Sequence, residues 1–206
     1  MPRRLRVIDL GVIVAVGFVL VAVLLPQRFG GDRSRFVSHA NLIWQYQTLQ
    51  TYEQARKKPP PGTGHEFILA PWIDGTVQHT PENLARYFQP STHNPRFAEL
   101  AARDLATLWR SPAETTSADT DYAGPGPGLA GDPGLLRNGK LPVMAEDDEL
   151  GPAYPDHRIN LLMGDGSVCE IEIERLRELG FDENVPNACF PVGPDSPHPL
   201  LARLAR

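Results

Sequence analysis

The hydrophobic pattern of the chain begins with one long apolar run close to its first residue. Residues 7–25 read VIDLGVIVAVGFVLVAVLL and contain a single charged side chain, that of Asp9. About twenty apolar residues in a helix match the hydrocarbon thickness of a bilayer, whereas a secretory signal peptide has a shorter apolar region of about 7–15 residues. We therefore predict an uncleaved transmembrane helix over residues 7–25.

The charges on either side of this run predict its orientation. Arg3, Arg4 and Arg6 precede it, and the positive-inside rule keeps a short basic end in the cytoplasm. Residues 1–6 are thus predicted to be cytoplasmic, with one pass through the cytoplasmic membrane and the body in the periplasm or otherwise outside. From residue 36 onwards the body carries 14 Lys and Arg against 23 Asp and Glu. This acidic balance argues against nucleic acid as a partner, because phosphate binding needs a basic surface.

A second helix is predicted to follow the apolar run after an interruption. Pro26 and the pair Gly30 and Gly31 predict a break over residues 26–34, since both residue types disfavour helix interiors. A membrane-proximal helix is then predicted over residues 35–58 and ends at a run of three prolines. Approximate helical spacing predicts that its buried side carries Phe36, Ile43, Trp44 and Leu49.

Residues 65–185 are predicted to form an α+β globular head. Residues 65–75 are apolar enough for a short helix or a strand, and periodicity cannot decide between them over so short a run. Thr80 followed by Pro81, and Asn94 followed by Pro95, are typical helix starts. The second of these helices is predicted to present one apolar face made of Phe97, Leu100, Ala101, Leu105 and Leu108.

The next part of the chain is rich in proline and glycine. Residues 111–156 include YAGPGPGLAGDPG, which predicts a long irregular loop with one strand at residues 141–146. Residues 186–206 are predicted to form a proline-rich tail with a short amphipathic end.

Between these segments, RINLLMGDGSVCEIEI predicts an antiparallel hairpin. Gly164, Asp165 and Gly166 suit the reversal, and the alternation after it places Cys169 and Ile171 on one face of a half-exposed strand. Asp165 is expected to hold the turn by accepting hydrogen bonds from nearby backbone N–H groups. His157 is expected to anchor the entry to the first strand.

The hairpin carries residue types that occur in metal sites and in nucleophilic catalysis. The chain has no HxH, HExxH or CxxC spacing that would join His157 to other metal ligands, and we predict no cofactor. The acidic run Glu146, Asp147, Asp148 and Glu149 leaves calcium as an alternative, since clustered carboxylates suit that ion. Ser167 and Cys169 are nearby nucleophiles but lack a G-x-S-x-G setting, and we predict no catalytic site and no enzyme.

The chain has two cysteines, Cys169 and Cys189. Outside the cytoplasm they could pair, closing a loop of about 20 residues that is worth roughly 3 kcal/mol in the chain-entropy model. The alternative is that Cys169 is an ordinary core residue of its strand. Both remain open on the sequence alone.

Two separate parts of the chain resemble one family. LRVIDLGVIVAVGFVLVAVLLPQ is similar to the N-terminal segment of type IV pilin-like proteins and type II secretion pseudopilins, with Asp9 at the acidic position and Pro26 at the closing proline. HRINLLMGDGSV resembles the C-terminal His-spacer-Asp-Gly signature of a pseudopilin-like subfamily, with His157, Asn160, Asp165 and Gly166 at the matching positions. Segments DYAGPG at 121–126 and VMAED at 143–147 resemble the family segments that precede this signature.

The resemblance implies a pilin-like α+β fold, in which the N-terminal helix continues into a head closed by a C-terminal hairpin. It implies a membrane-anchored structural protein that assembles with pilin-like subunits or secretion-system components, with Asp9 and Pro26 as anchor and assembly residues. Arg4 stands where the family has the glycine before the processing point, and the His157–Asp165 spacer has seven residues instead of nine. Arg4, together with the break at Gly30 and Gly31, motivates the alternative of an unprocessed, signal-anchored periplasmic binding or scaffold domain.

Overall fold

The computed structural model describes residues 30–90, 92, 94–147, 158–182 and 191–206. The predicted transmembrane helix, with Asp9 and Pro26, lies outside these residues. Among the described helices, none combines the length and the apolar character needed to cross a bilayer.

A 27-residue helix, α1 (Gly30–Arg56), forms the first described element. It begins five residues before the predicted start at residue 35, so residues 30–34 of the predicted break are helical. Two glycines cost a helix roughly 2 kcal/mol relative to alanine, and packing of the following turns against the sheet offsets such a cost. The predicted end of the helix, near residue 58, agrees with the structure to within two residues.

The buried side of α1 differs from the prediction. Ser38, Leu42, Gln45 and Leu49 follow one another at spacings of four, three and four, and all are at most 2% exposed. Phe36 was expected on this side but is 75% exposed. It precedes Ser38 by two residues and is therefore rotated by about 200° around the helix, onto the side away from the sheet.

Four shorter α-helices follow in the described part of the chain: α2 (Gly64–Ile73), α3 (Pro81–Ala85), α4 (Pro95–Ala101) and α5 (Ile173–Glu178). The sequence left helix or strand open for residues 65–75, and α2 shows that this segment forms a helix. Thr80 and Asn94 act as the predicted caps, since their side chains accept hydrogen bonds from the backbone N–H groups of Asn83 and Arg96.

The helix predicted to run from Pro95 to about Leu108 is shorter than expected. It ends at Ala101, and a separate 3₁₀ turn covers Leu105–Thr107. Asp104 starts this turn by accepting a hydrogen bond from the N–H of Ala106. An aspartate side chain that captures a backbone donor in this way competes with continuation of the helix.

Among the described residues, five strands form one antiparallel sheet: β1 (Tyr122–Pro125), β2 (Pro142–Glu146), β3 (Arg158–Met163), β4 (Val168–Glu172) and β5 (Leu204–Ala205). Their spatial order is β4-β3-β2-β1-β5. The predicted strand at 141–146 and the predicted hairpin correspond to β2 and to the β3–β4 pair. The fold is therefore α+β with an antiparallel sheet, as predicted.

Both faces of the sheet are covered. Alternate residues of a strand point to opposite faces, and Leu162 accordingly joins a core with α1 and α2, whereas Leu161 joins a second core. The second core includes Leu176 of α5 and Leu201 and Leu204 near the end of the chain. The sheet is thus the middle layer between the long helix and the C-terminal segments.

Two strands lie in segments where the sequence predicted none. The glycine- and proline-rich segment that was expected to be wholly irregular supplies β1, whose Gly124 lies against the backbone of α2: a Cβ at this position would sit 2.3 Å from the carbonyl oxygen of Gly64. The end of the segment predicted as a proline-rich tail packs on the head, because β5 pairs with β1 and Leu204 is 1% exposed. Short strands of glycine and proline carry little hydrophobic alternation, which is the signal that strand prediction relies on.

Candidate functional site

The long helix α1 is held to the sheet at a buried carboxylate near its first turns. Glu146, the last residue of β2, is fully buried. Its carboxylate accepts hydrogen bonds from the Ser38 hydroxyl on α1, from the backbone N–H of Asn160 at 2.6 Å and from the Asn160 side-chain amide at 3.0 Å. The Ser38 hydroxyl also lies 3.3 Å from the hydroxyl of Tyr122. A buried carboxylate is costly unless donors surround it, so this cluster fixes where α1 lies.

Strand register explains how the members of this cluster meet. Tyr122 is paired with Glu146 across β1 and β2, and Ala145 is paired with Leu161 across β2 and β3. The antiparallel ladder therefore sets Tyr122, Glu146 and Asn160 in one row across three strands. Ser38 lies above this row. We call these four residues the carboxylate cluster.

A second contact joins α1 to the turn of the β3–β4 hairpin. The Tyr46 hydroxyl lies 3.1 Å from the carbonyl oxygen of Leu136 and 3.2 Å from that of Gly164, and it accepts a hydrogen bond from Gln50 at 2.9 Å. Gly166 sits beneath the Tyr46 ring with φ of +84°, and a Cβ at this position would be 2.6 Å from the ring. Glycine is therefore required here both by backbone conformation and by space.

Asp165 shapes the same turn. Its carboxylate accepts hydrogen bonds from the backbone N–H of Ser167 at 3.0 Å and from the Ser167 hydroxyl at 2.6 Å. The Ser167 hydroxyl and N–H lower the pKa of Asp165 below its ordinary value, because they stabilise the charged form. These contacts agree with the turn-holding role expected of Asp165. We call Asp165, Gly166 and Tyr46 the turn contact.

The two contacts are spaced along one helix. Ser38 and Tyr46 are eight residues apart, which corresponds to about 12 Å of helix rise. The carboxylate cluster and the turn contact thus hold two separate points of α1 on the same face of the sheet. This arrangement fixes the direction of the helix as well as its position.

The side of α1 that faces away from the sheet is apolar in its first turns. Phe36 is 75% exposed, Val37 is 41% exposed and Ala40 is exposed as well. Further along, Gln47 and Thr51 occupy the exposed side. Exposed apolar side chains are therefore concentrated toward the end of α1 that leads back to the apolar run of the sequence.

A second buried carboxylate, that of Asp121, lies where the α3–α4 connection meets β1. Asp121 accepts hydrogen bonds from the Gln89 N–H at 2.8 Å, from the Thr92 hydroxyl at 2.7 Å and from the Asn94 side-chain amide at 2.5 Å. Burial raises the pKa of Asp121, and the hydrogen bonds from Thr92, Asn94 and Gln89 oppose that rise. Asp121 thus ties the connection between α3 and α4 to the sheet.

The described residues offer no group of three His, Cys, Asp or Glu side chains placed to hold a metal ion. Of the acidic run proposed as a calcium alternative, Glu146 belongs to the carboxylate cluster and Asp147 lies 3.2 Å from the guanidinium of Arg206. Asp148 and Glu149 lie outside the described residues. Calcium binding therefore stays an alternative for which the described residues show no ligand set.

The predicted motif residues are only partly brought together. Asn160 joins the carboxylate cluster, and Asp165 and Gly166 form the turn contact. His157, Asp9, Pro26 and Cys189 lie outside the described residues. Cys169 is exposed on β4 rather than buried in the core, which rules out the alternative of a core residue, and its pairing with Cys189 stays open because Cys189 is not described.

The sequence analysis assigned no role to four residues of these contacts: Ser38, Tyr46, Tyr122 and Glu146. The segments that contain Tyr122 and Glu146 had been singled out by resemblance, but without roles. Ser38, Asn41 and Gln45 share the buried side of α1 with Leu42 and Leu49. Polar residues at this spacing among leucines were the available signal, because a polar side chain on a buried helix face needs a partner.

Comparison with known proteins does not assign the chain to a family. No family model, no curated protein and no solved structure matches this chain.

Proposed function

We propose that the protein is a membrane-anchored, pseudopilin-like structural protein that assembles with copies of itself or with secretion-system components. The observation that carries the proposal is α1, a helix of 27 residues held lengthwise on an antiparallel sheet by the carboxylate cluster and the turn contact. Both contacts use residues of the segments that resemble the pseudopilin-like family. The Asp-Gly signature then has a mechanical role, because it fastens the head to the helix.

The exposed side of α1 supports an assembly role. Phe36, Val37 and Ala40 present an apolar surface that the head leaves uncovered in the described structure. Single exposed apolar residues are common, but neighbouring ones on a single helix face are typical of contact surfaces. Rigid attachment to the sheet would keep this surface presented at a fixed angle.

Mass spectrometry of the mature N-terminus tests the proposal most directly. Pseudopilin-like processing would give a mature chain that begins at Leu5, with a methylated amine, and would let Asp9 pair with such an amine in a neighbouring copy. A chain that begins at Met1 or Pro2 would favour the unprocessed, signal-anchored scaffold instead, in keeping with Arg4 at the processing point. A detergent-solubilised chain that stays monomeric and recovers no pilin-like or secretion partner would contradict an assembly role.

A further inference from the structure

The connection between α4 and β1 packs on α2 with little regular structure. We call residues 104–115 the strap; all of them are described, and they form two 3₁₀ turns, at Leu105–Thr107 and Pro112–Glu114. Most of their side chains are exposed, whereas those of Leu108 and Trp109 are 2% and 3% exposed. These two neighbouring residues are therefore the main anchor of the strap in the core that α1 and α2 form with the sheet.

A single hydrogen bond joins the strap to another element of the described structure. The indole N–H of Trp72 on α2 donates to the carbonyl oxygen of Leu108 at 3.2 Å. The other hydrogen bonds of the strap close local turns, for example from the N–H of Leu108 to the carbonyl oxygen of Leu105, and they do not depend on contact with α2. A segment with so few bonds to its surroundings opens at a lower free-energy cost than a sheet does.

The docked strap holds Trp109 in an unfavourable state. The φ angle of Trp109 is 54°, in the left-handed region that a residue with a Cβ disfavours. Its indole N–H is buried and has no hydrogen-bond partner in the described structure, which is costly for a donor removed from water. Its ring packs edge-on against Trp72, with the ring centroids 5.7 Å apart. Docking therefore gains ring contacts but imposes backbone strain and an unpaired donor, and both are relieved when Trp109 leaves.

We propose that the strap is a conformational device that lifts from α2 as a unit while α1 and the sheet stay folded, with Trp109 as its latch. Lifting uncovers the side of the Trp72 ring on which Trp109 packs, although Trp72 is fully buried in the docked state. The proposal goes beyond the proposed function, because none of these residues belongs to the carboxylate cluster or to the turn contact.

Hydrogen exchange in the native full-length chain in detergent tests the proposal. The indole proton of Trp72, followed by NMR, is bonded to Leu108 only while the strap is docked. We expect its exchange rate to be nearly independent of denaturant at low concentrations, because lifting the strap exposes little surface. The backbone N–H groups of β3 should show a steep dependence, because they open only on global unfolding. The same steep dependence for Trp72 and for β3 would overturn the proposal.

Two buried leucines of one core provide matched variants. Leu108 lies in the strap, whereas Leu84 lies in α3 and is 0% exposed. We expect Leu108→Ala to speed the exchange of the Trp72 indole proton at low denaturant about tenfold or more, because the truncated contacts exist only in the docked state. Leu84→Ala should leave this rate within about twofold of wild type, since its surroundings are the same with the strap docked or lifted. Equal effects of the two variants on Trp72 would contradict a separate opening of the strap, and the denaturant dependence of the wild type decides the question even if either variant fails to fold.

Discussion

At the scale of single residues, the Asp-Gly signature works through space and backbone conformation. Gly166 combines a positive φ with a position against the Tyr46 ring, and Asp165 closes the turn around it. The motif that looked like candidate chemistry in the sequence therefore acts as the point where the hairpin meets the helix.

Replacing Gly166 with alanine should lower the free energy of unfolding by about 2–4 kcal/mol. The left-handed backbone accounts for about 1–2 kcal/mol of this and the clash with Tyr46 for the rest. Chemical denaturation followed by tryptophan fluorescence measures the loss. Gly75→Ala is a control for conformation alone, since Gly75 has φ of +75° and no atom within 4 Å of a Cβ. Equal losses for the two variants would contradict a role for the Tyr46 contact.

The carboxylate cluster predicts a comparable loss for Ser38→Ala. Removing the hydroxyl takes one donor from the fully buried carboxylate of Glu146, which should lower the free energy of unfolding by about 1–3 kcal/mol. Thr51→Ala is the control, because Thr51 is exposed and bonds only the Gln47 carbonyl of its own helix. We expect this control to change stability by less than about 0.5 kcal/mol. Similar values for both variants would show that the cluster does not hold the helix.

The two perturbed aspartates predict opposite dependences of stability on pH. Asp165 has a lowered pKa in the folded state, so its contribution is present above the unfolded pKa of about 3.9 and is lost as pH falls below that value. Asp121 has a raised pKa, so its contribution is present below about pH 3.9 and is lost as pH rises through the folded value. Unfolding curves of Asp165→Asn and Asp121→Asn between pH 2 and 6 should therefore differ from wild type in opposite directions. Shifts of the same sign would contradict these assignments.

At the scale of elements, sequence patterns predicted the parts that carry regular periodicity or a typical cap. The hairpin was predicted from alternation around Asp165, and α3 from Thr80 and Pro81. β1 and β5 were missed, because strands of four and two residues with glycine or alanine at key positions gain their order from neighbours rather than from local pattern.

The candidate site was predicted only where one local motif contains it. Asp165 and Gly166 belong to one turn and were found, whereas Ser38 and Glu146 are 108 residues apart in the chain. Their meeting depends on strand register and on the rotation of α1, which no local window contains. The misplacement of Phe36 has the same origin, since the polar residues Ser38 and Gln45 mark the buried side of the helix.

The attachment of the C-terminal segment to the sheet predicts that Leu204→Ala lowers stability by about 2–5 kcal/mol. Leu204 is 1% exposed in the second core and pairs with Pro125 of β1, so truncation leaves a cavity. Arg203→Ala is the control, because the Arg203 side chain directly precedes Leu204 in the chain but is exposed. A loss below about 0.5 kcal/mol for Leu204→Ala, measured by chemical denaturation, would instead favour an independent tail.

At the scale of the whole molecule, the head holds one long helix, α1, in a fixed position. It leaves exposed the side of the first turns of α1 that faces away from the sheet. The carboxylate cluster and the turn contact lie on one side of α1, and Phe36, Val37 and Ala40 lie on the other. Stability and assembly should therefore depend on opposite sides of the same helix, which makes them separable by substitution.

Phe36→Ser tests this separation. Burial of a phenylalanine side chain is worth about 1.5–3 kcal/mol, so its loss from a contact between copies should raise the dissociation constant of the full-length chain roughly tenfold or more. The free energy of unfolding of the monomer should change by less than about 0.5 kcal/mol, because Phe36 is 75% exposed in the described structure. Gln47→Ser, on the same exposed side about three turns further along α1, should alter neither quantity. Unchanged association for Phe36→Ser would place the contact between copies away from this face of the helix, whereas a large loss of monomer stability would mean that Phe36 packs against the head.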